Sequence, residues 1–289
     1  MNEKKFNLEL TADGSFTFFS PEFGESFHSH FGARQEAEYK FVLPVRLHSK
    51  ASRPLVRLLD VCYGLGYNTA SALTAIWEAN PDCRVEWIGL ELDPEVPKAA
   101  IARGLIDEWP AEIATILKTL SNETSLKNDK LCAKMLVGDA RSTIQQIQKD
   151  GFQADAIFLD PFSPPSCPQL WTVEFLGLVA SCLQFDGHLA TYSCSAAVRS
   201  ALMAAGLSVG STAPVGRRSP GTVASFLGED LPKLSLKEQE HLLTKAAIPY
   251  RDPHLSDSPE AIIRRRQLEQ QTSPLEITSH WKKRWSYKS

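Results

Sequence analysis

Residues 55–79, LVRLLDVCYGLGYNTASALTAIWEA, decide the fold. The apolar run 55–63 is typical of a buried strand, and residues 64–79 form a glycine turn that opens a helix. Gly64 and Gly66 let the backbone bend and come close to a ligand. The free N–H groups of a helix start lie at such a turn, where parallel α/β sheets bind nucleotide-like ligands. A plain tight turn is the alternative, because short glycine motifs recur by chance.

The same alternation of strand and helix continues along the chain. Strands are predicted at 55–63, 84–93, 131–139, 154–160, 187–194, 207–215 and 222–228, with helices between most of them, including 94–106 and 111–120. Units of this length imply a mostly parallel sheet covered on both faces. The last two strands are separated only by GRRSPG, which leaves no room for a helix. We therefore expect a seven-stranded sheet with one antiparallel edge strand.

Three regions are expected along the chain. Residues 1–48 form an N-terminal appendage, with a β-hairpin around Asp13-Gly14 and a helix that ends before Pro44. Residues 49–230 form the α/β domain. Residues 231–289 form a helical C-terminal extension with a basic, aromatic tail.

Composition limits the class of protein. The chain has 289 residues, of which 43% are hydrophobic and 22% charged, so a sizeable core is possible. A net charge of −3 gives no global footprint for nucleic acid. The start has no secretory signal, and no apolar run is long enough to span a membrane. The six cysteines include no C-x-x-C pair, so we expect reduced thiols in a cytoplasmic protein, without metal and without an evident stable protein partner.

Acidic residues follow the next two strands. Thr69 stands where the dinucleotide fingerprint G-x-G-x-x-G needs its last glycine. Glu91 follows the second strand, where an acid accepts ribose hydroxyls, and Asp139 follows the third, where a carboxylate accepts an adenine N–H. This order resembles Rossmann-like, class I S-adenosylmethionine-dependent methyltransferases, although Cys62 replaces the first glycine of their D-x-G-x-G-x-G. The residues expected to bind this cofactor are Asp60, Tyr63, Gly64, Gly66, Asn68, Glu91, Asp139, Ala140 and Asp160.

The fourth strand ends in DPFSPP, residues 160–165, which is similar to the D/N-P-P-Y loop of amino-methylating enzymes. Asp160 is expected to orient an acceptor amine and help it lose a proton. Backbone carbonyls between the prolines would accept a further N–H, and Phe162 would pack on the substrate or the sulfonium. Asp160 and Phe162 are therefore the predicted catalytic residues. The alternative is an ordinary strand-end acid before a proline-rich loop, with no catalytic role.

Several segments together resemble the bacterial tRNA 5-(methylaminomethyl)-2-thiouridine methyltransferase family, in the stand-alone form of its methyltransferase domain. The similar segments are 13–17, 24–29, 32–33, 36, 64–68, 158–164, 170–172, 191–193, 198–199, 216–222 and 250–253. The D-P-F-S-P…L-W-T and G-R-R-x-P-G-T blocks are the specific ones.

The resemblance implies methylation of 5-aminomethyluridine, or its 2-thio form, at the tRNA wobble position. S-adenosylmethionine would be the donor and tRNA the partner. No FAD is expected, because the flavin-dependent oxidoreductase domain of the bifunctional relatives falls outside this sequence. Substrate-binding roles are expected for His28, Glu36, Ser163, Arg217 and Arg218.

Two other functions stay open. A methyl- or aminopropyltransferase of the spermidine-synthase kind would share the fold and act on small amines. A catalytically inactive module would bind RNA alone. The basic runs 264–266 and 281–285 suit RNA contact, with a solvated charged face as the alternative.

Overall fold

A small antiparallel sheet opens the part of the chain that the computed structural model describes, residues 6–215 and 219–286. Its strands are β1 (Asn7–Leu10), β2 (Phe16–Ser20) and β3 (Glu25–Ser26). The turn between β1 and β2 is built around Asp13, whose carboxylate accepts the Ser15 N–H at 3.0 Å, while Gly14 takes a φ of 86°. The predicted hairpin is confirmed.

A helical segment follows the small sheet. It consists of α1 (Ala33–Glu36), a π-helical turn (Ala37–Val42) and α2 (Leu47–Lys50). Phe18 of β2 and Phe41 of the π-helical turn are fully buried in the same hydrophobic cluster as Leu58 and Tyr67 of the main domain. The N-terminal region therefore packs directly onto the α/β domain. A boundary at residue 48 stays a prediction.

An eight-stranded sheet forms the centre of the molecule. Its strands are β4 (Leu55–Val61), β5 (Arg84–Glu91), β6 (Ser125–Lys127), β7 (Leu131–Val137), β8 (Ala154–Leu159), β9 (Leu183–Thr191), β10 (Ser208–Ser211) and β11 (Thr222–Ser225). They lie in the order β10-β11-β9-β8-β4-β5-β7-β6. The pairs from β9 through β7 are all parallel, so the predicted α/β class with a mostly parallel sheet is confirmed.

Two details differ from the prediction. The antiparallel strand β11 lies one place in from the edge, between β9 and β10, and all four of its residues are buried as a central position requires. A short strand, β6, pairs antiparallel with β7 at the opposite edge. Three residues after a helix carry too weak a pattern to be recognised as a strand.

Helices cover both faces of this sheet. They are α3 (Tyr67–Ala79), α4 (Glu95–Ala102), α5 (Ala111–Glu123), α6 (Ala140–Lys149), α7 (Val173–Ser181) and α8 (Ala196–Ala204). Side chains alternate across a strand, and Leu58 of β4 packs with α3–α5, whereas Leu59 packs with α6–α8. Within the described ranges, no helix is both long and apolar enough to cross a membrane.

The C-terminal region is mainly helical, and its boundary at residue 231 stays a prediction. It contains α9 (Leu236–His241), α10 (Pro259–Thr272) and α11 (Thr278–Ser286). A buried ion pair anchors α9, because Arg199 of α8 lies 2.8 Å from the Glu238 carboxylate. The same guanidinium donates to Thr222 Oγ1 at 3.0 Å and to the Gly221 carbonyl at 3.2 Å.

We predict that Arg199→Met lowers the free energy of unfolding by about 3 kcal/mol, because it leaves a half-buried carboxylate without its cation. Arg57→Met is the matched control. Arg57 pairs with Glu86 at the surface, with both side chains more than a third exposed, and its loss should cost less than about 1 kcal/mol. Urea denaturation followed by circular dichroism measures both. Equal losses in the two variants would contradict the prediction.

Candidate functional site

One cavity of about 460 Å³ lies at the carboxyl ends of β4, β5, β7 and β8. The order of the sheet reverses at this edge, because β4 pairs with β5 on one side and with β8 on the other. Ligands of open α/β sheets bind at such a reversal. Loops after the strands form one side of the cavity, and residues 20–30 of the N-terminal region form the other.

The glycine turn forms the floor of the cavity. Cys62 has a φ of 71° and Gly64 a φ of 59°, and both line the cavity. Cys62 thus adopts the left-handed conformation that a glycine adopts without strain. The sequence placed the close backbone approach at 62 in question. The structure shows the required turn with cysteine in place.

Gly66 caps the start of α3 with a φ of 86°. A side chain there would also meet the Tyr63 hydroxyl, since an added Cβ would come within 2.7 Å of that oxygen. Tyr63 is buried and packs edge-on against Trp87, 5.5 Å between ring centroids. Gly66 and Tyr63 therefore support the turn without lining the cavity.

Glu91 ends β5 and is held by the turn. Its carboxylate accepts the Gly64 N–H at 2.8 Å and the Asp93 N–H at 2.9 Å. Burial raises the pKa of Glu91 to about 7, against these two hydrogen bonds, which lower it. Each carboxylate oxygen keeps a lone pair for a ligand hydroxyl, so Glu91 suits a ribose.

Asp139 caps α6 beside Ala140, and both line the cavity. Burial opposes ionisation of Asp139, but hydrogen bonds and charge from Arg141 outweigh it and lower the pKa. Arg141 in turn lies 2.9 Å from the fully buried Asp252 of the C-terminal extension. Segment 250–253 is one of those that resemble the family. Its Asp252 fixes the arginine that in turn fixes Asp139.

Asp160 follows β8 and faces the cavity from the opposite side of the turn. Its N–H donates to the Val61 carbonyl at 3.0 Å, and its Oδ2 accepts from Asn68 Nδ2 at 2.8 Å. Asn68 lies behind the wall, as does Asp60, which accepts the Thr69 hydroxyl at 2.6 Å. The direct cofactor contacts expected for Asp60, Tyr63, Gly66 and Asn68 stay predictions. Their observed positions are supporting ones.

Phe162 lines the cavity within an aromatic group. Phe23 stacks on one of its faces, with 4.4 Å between centroids, and Phe27 meets it edge-on at 5.0 Å. The carbonyls before and at this residue are also engaged. Tyr192 donates to the Pro161 carbonyl at 2.9 Å, and Trp171 donates to the Phe162 carbonyl at 2.8 Å. Each of these carbonyls therefore already accepts one hydrogen bond, and the expectation that loop carbonyls accept an amine N–H stays a prediction.

The predicted substrate residues come together in part. His28, Glu36 and Ser163 line the cavity with Asp160. His28 is almost fully buried, its Nδ1 has no partner among the described residues, and burial lowers its pKa to about 4 despite the nearby charges of Glu36 and Asp13. His28 is thus neutral at pH 7. Arg217 and Arg218 lie outside the described residues.

Sequence reasoning missed three residues that build this wall: Phe23, Glu25 and Tyr192. Glu25 accepts hydrogen bonds from the loop after β8, and Tyr192, directly after β9, donates one to that loop. Both lie in segments that resemble the family, G-E-S-F and T-Y-S. A charged residue between aromatic residues was the signal in the sequence that could have identified Glu25.

Two arginines of the first basic run make contacts within the protein, whereas Lys282, Lys283 and Arg284 of the second run are exposed. Arg265 pairs with Asp257 at 2.6 Å, and Arg266 donates to the Ile248 carbonyl at 2.6 Å and lies over the Tyr250 ring. Trp281 is buried against His241. These contacts favour a structural role for Arg265 and Arg266, and RNA contact by the run 281–285 stays a prediction. The structure shows no group of three or more potential metal ligands within the residues it describes.

The cavity is strongly acidic. Among the described residues, its lining contains no lysine or arginine but seven carboxylates: Glu22, Glu25, Glu36, Glu91, Asp93, Asp139 and Asp160. A cationic ligand is favoured there. The volume, the left-handed turn and the acids at the ends of β5 and β7 fit the adenosine, ribose and sulfonium of S-adenosylmethionine.

Comparison with known proteins agrees with this fit. A family model described as S-adenosyl-L-methionine-dependent methyltransferase matches residues 97–226. The crystal structure of MnmC2 from Aquifex aeolicus is 36% identical in sequence, with a TM-score of 0.82 over 94% of this chain and 87% of that one.

Two sequence relatives extend the comparison. An uncharacterised protein of Methanocaldococcus jannaschii is 30% identical over 269 residues, 90% of this chain and 71% of that protein. The tRNA 5-methylaminomethyl-2-thiouridine biosynthesis bifunctional protein MnmC of Aromatoleum aromaticum is 30% identical over 217 residues, 69% of this chain. Those residues are 32% of the bifunctional protein, so the chain matches about a third of its length.

We predict that S-adenosylmethionine binds about tenfold more weakly at pH 6 than at pH 8. The pKa of Glu91 is raised to about 7, so acid neutralises the carboxylate that faces the cation and its ribose. Calorimetric titration of Glu91→Gln should show weaker binding that no longer changes over this range.

Asp60→Asn is the control, because Asp60 also has a pKa raised to about 7 by burial but lies behind the wall. This variant should keep the pH dependence. Loss of the dependence in Asp60→Asn, with retention in Glu91→Gln, would contradict the assignment.

Proposed function

This chain belongs to the MnmC-like family of S-adenosyl-L-methionine-dependent methyltransferases, and we propose that it methylates the exocyclic amine of 5-aminomethyluridine, or its 2-thio form, at the wobble position of tRNA. The product is 5-methylaminomethyluridine or its 2-thio form. The names of the matched MnmC proteins support the tRNA substrate. A cytoplasmic location is part of this proposal, because tRNA is the substrate.

One observation carries the choice of an amine acceptor. Asp160 lines the cavity where the cofactor half meets the Phe162 loop, and the lining described here has seven carboxylates and no lysine or arginine. An alkylamine arrives mostly as an ammonium ion, which this charge attracts. A phosphate or carboxylate acceptor would be repelled. The acidic lining therefore supports entry of the aminomethyl group while the tRNA backbone stays outside.

The residues divide the work between two halves of the cavity. Glu91 would accept the ribose hydroxyls, and Asp139, beside Ala140, would hold the adenine. When bound, S-adenosylmethionine supplies an electrophilic methyl group. Asp160 accepts an N–H of the amine and aims the nitrogen lone pair at the methyl carbon.

Methyl transfer requires that the ammonium group first lose a proton. The ammonium proton passes to Asp160 and then to solvent, which leaves the amine nucleophilic. One N–C bond forms as one S–C bond breaks. Asn68 donates to Oδ2 of Asp160 and so fixes the orientation of the carboxylate that accepts the amine N–H. His28, which is neutral at pH 7, and Glu36 contact the uracil ring, and the substrate-binding roles of Arg217 and Arg218 stay predictions.

We predict that Asp160→Asn lowers kcat by at least about a hundredfold, because the amide keeps the shape but loses the charge that takes the proton. The affinity for S-adenosylmethionine should change less than about threefold. Asp139→Asn is the control, with weaker cofactor affinity but near-normal kcat at saturating cofactor. Full kcat in Asp160→Asn would overturn the role of this residue.

The decisive assay is methyl transfer from labelled S-adenosylmethionine to tRNA from cells that lack the modification, followed by nucleoside mass spectrometry. A methylaminomethyluridine species is expected, and RNase treatment before the assay should abolish label incorporation. Label on small amines that resists RNase would instead favour a transferase of the spermidine-synthase kind. Binding of tRNA without binding of S-adenosylmethionine would favour an inactive RNA-binding module.

A further inference from the structure

The loop after β8 is held in place by three different parts of the chain. Its Pro161 carbonyl accepts from Tyr192 at the end of β9, and its Phe162 carbonyl accepts from Trp171. The third contact comes from the N-terminal sheet, more than 130 residues away in sequence. There Glu25, the first residue of β3, reaches across the cavity mouth to the loop.

Glu25 makes three hydrogen bonds to this loop. Its Oε2 accepts the Ser163 N–H at 2.9 Å, and its Oε1 accepts the Ser166 hydroxyl at 2.7 Å and the Ser163 hydroxyl. Phe23, two residues before, stacks on Phe162. The N-terminal sheet therefore contacts the acceptor loop through both a charged and an aromatic side chain.

We propose that Glu25 is a positioning residue, which fixes the loop of residues 161–166 so that Asp160 and Phe162 face the acceptor amine in one geometry. The inference rests on the proposed function for its substrate. A carboxylate suits the task, because all three groups it meets are donors. Hydrogen bonds to a charged acceptor are also about twice as strong as neutral ones.

The prolines explain why an outside clamp is needed. Pro161, Pro164 and Pro165 have no N–H, so the loop has few backbone donors with which to hold itself in place. It makes only short internal bonds, such as that of the Ser166 N–H with the Ser163 carbonyl at 2.9 Å. Its orientation toward the cavity thus depends on Tyr192, Trp171 and Glu25.

The test compares Glu25→Gln with Glu22→Gln. Both remove one negative charge from the same cavity lining. Within residues 6–215 and 219–286, however, Glu22 makes no hydrogen bond to the loop. Glutamine at 25 keeps the size of the side chain, but it replaces the charged acceptor by a neutral amide, whose hydrogen bonds are weaker.

The first readout does not depend on any substrate. Hydrogen exchange of a peptide spanning residues 162–171 should become about tenfold faster in Glu25→Gln, because the Ser163 N–H loses a charged acceptor. Exchange should stay unchanged in Glu22→Gln. Unchanged exchange in Glu25→Gln would overturn the clamp even if the protein methylated no tRNA.

The second readout is kinetic and separates positioning from general destabilisation. In Glu25→Gln, kcat on tRNA that lacks the modification should fall about tenfold to a hundredfold, with the affinity for S-adenosylmethionine and the melting temperature unchanged. A parallel loss of cofactor affinity and melting temperature would show a merely structural role.

A double-mutant cycle with Ser163→Ala/Ser166→Ala distinguishes action through the loop from direct contact with substrate. The losses in kcat should be strongly non-additive, because either change alone removes the same clamp. Additive losses would show that Glu25 acts by another route. A wild-type protein inactive on tRNA would count against the proposed substrate, while the exchange experiment would still decide the clamp.

Discussion

The hydrogen bond from the Gly64 N–H to the Glu91 carboxylate ties together the two strand ends on which the cavity depends. It joins the turn after β4 to the end of β5 and fixes the glycine turn in its left-handed form. That turn aims α3 so that Asn68 reaches Asp160 beyond the end of β8. Three strand ends are thus coupled through one buried carboxylate. The cofactor half and the reacting half of the site both depend on this hydrogen bond.

The burial of the Glu91 carboxylate has an electrostatic cost. Glu91 and Asp60 are buried near each other, and burial raises the pKa of each carboxyl to about 7. A raised carboxyl pKa favours the folded state while the group stays protonated. That contribution is fully present below the ordinary value near 4 and is lost as pH rises through about 7. The protein therefore holds partly ionised acids in its core at neutral pH. A bound cation offsets the repulsion between these ionised carboxylates. The acidic lining therefore favours cationic ligands.

The sequence predicts the positions of the strand-end residues of the cavity better than the contacts that hold the loop after β8, for a physical reason. Strand ends and glycine turns are local features, so the positions of Gly64, Glu91 and Asp139 follow from one alternating pattern. The place of β11 in the sheet and the clamp by Glu25 are long-range contacts, which no local pattern encodes. The basic run at 264–266 shows the same limit. Its charge is visible in the sequence, but the carbonyls and carboxylates that two of its arginines meet are not.

The division between local and long-range contacts also bears on how such a site changes its substrate. The cofactor wall belongs to the sheet, whose strands are fixed by their neighbours on both sides. The acceptor wall is assembled from the N-terminal sheet, the proline-rich loop and the end of β9, joined by Glu25 and the Phe23–Phe162 stack. Changes in residues 20–30 therefore reshape the acceptor pocket without moving Glu91 or Asp139. An N-terminal region that shares a hydrophobic core with the domain, through Phe18 and Phe41, supplies the rigidity that such a wall needs.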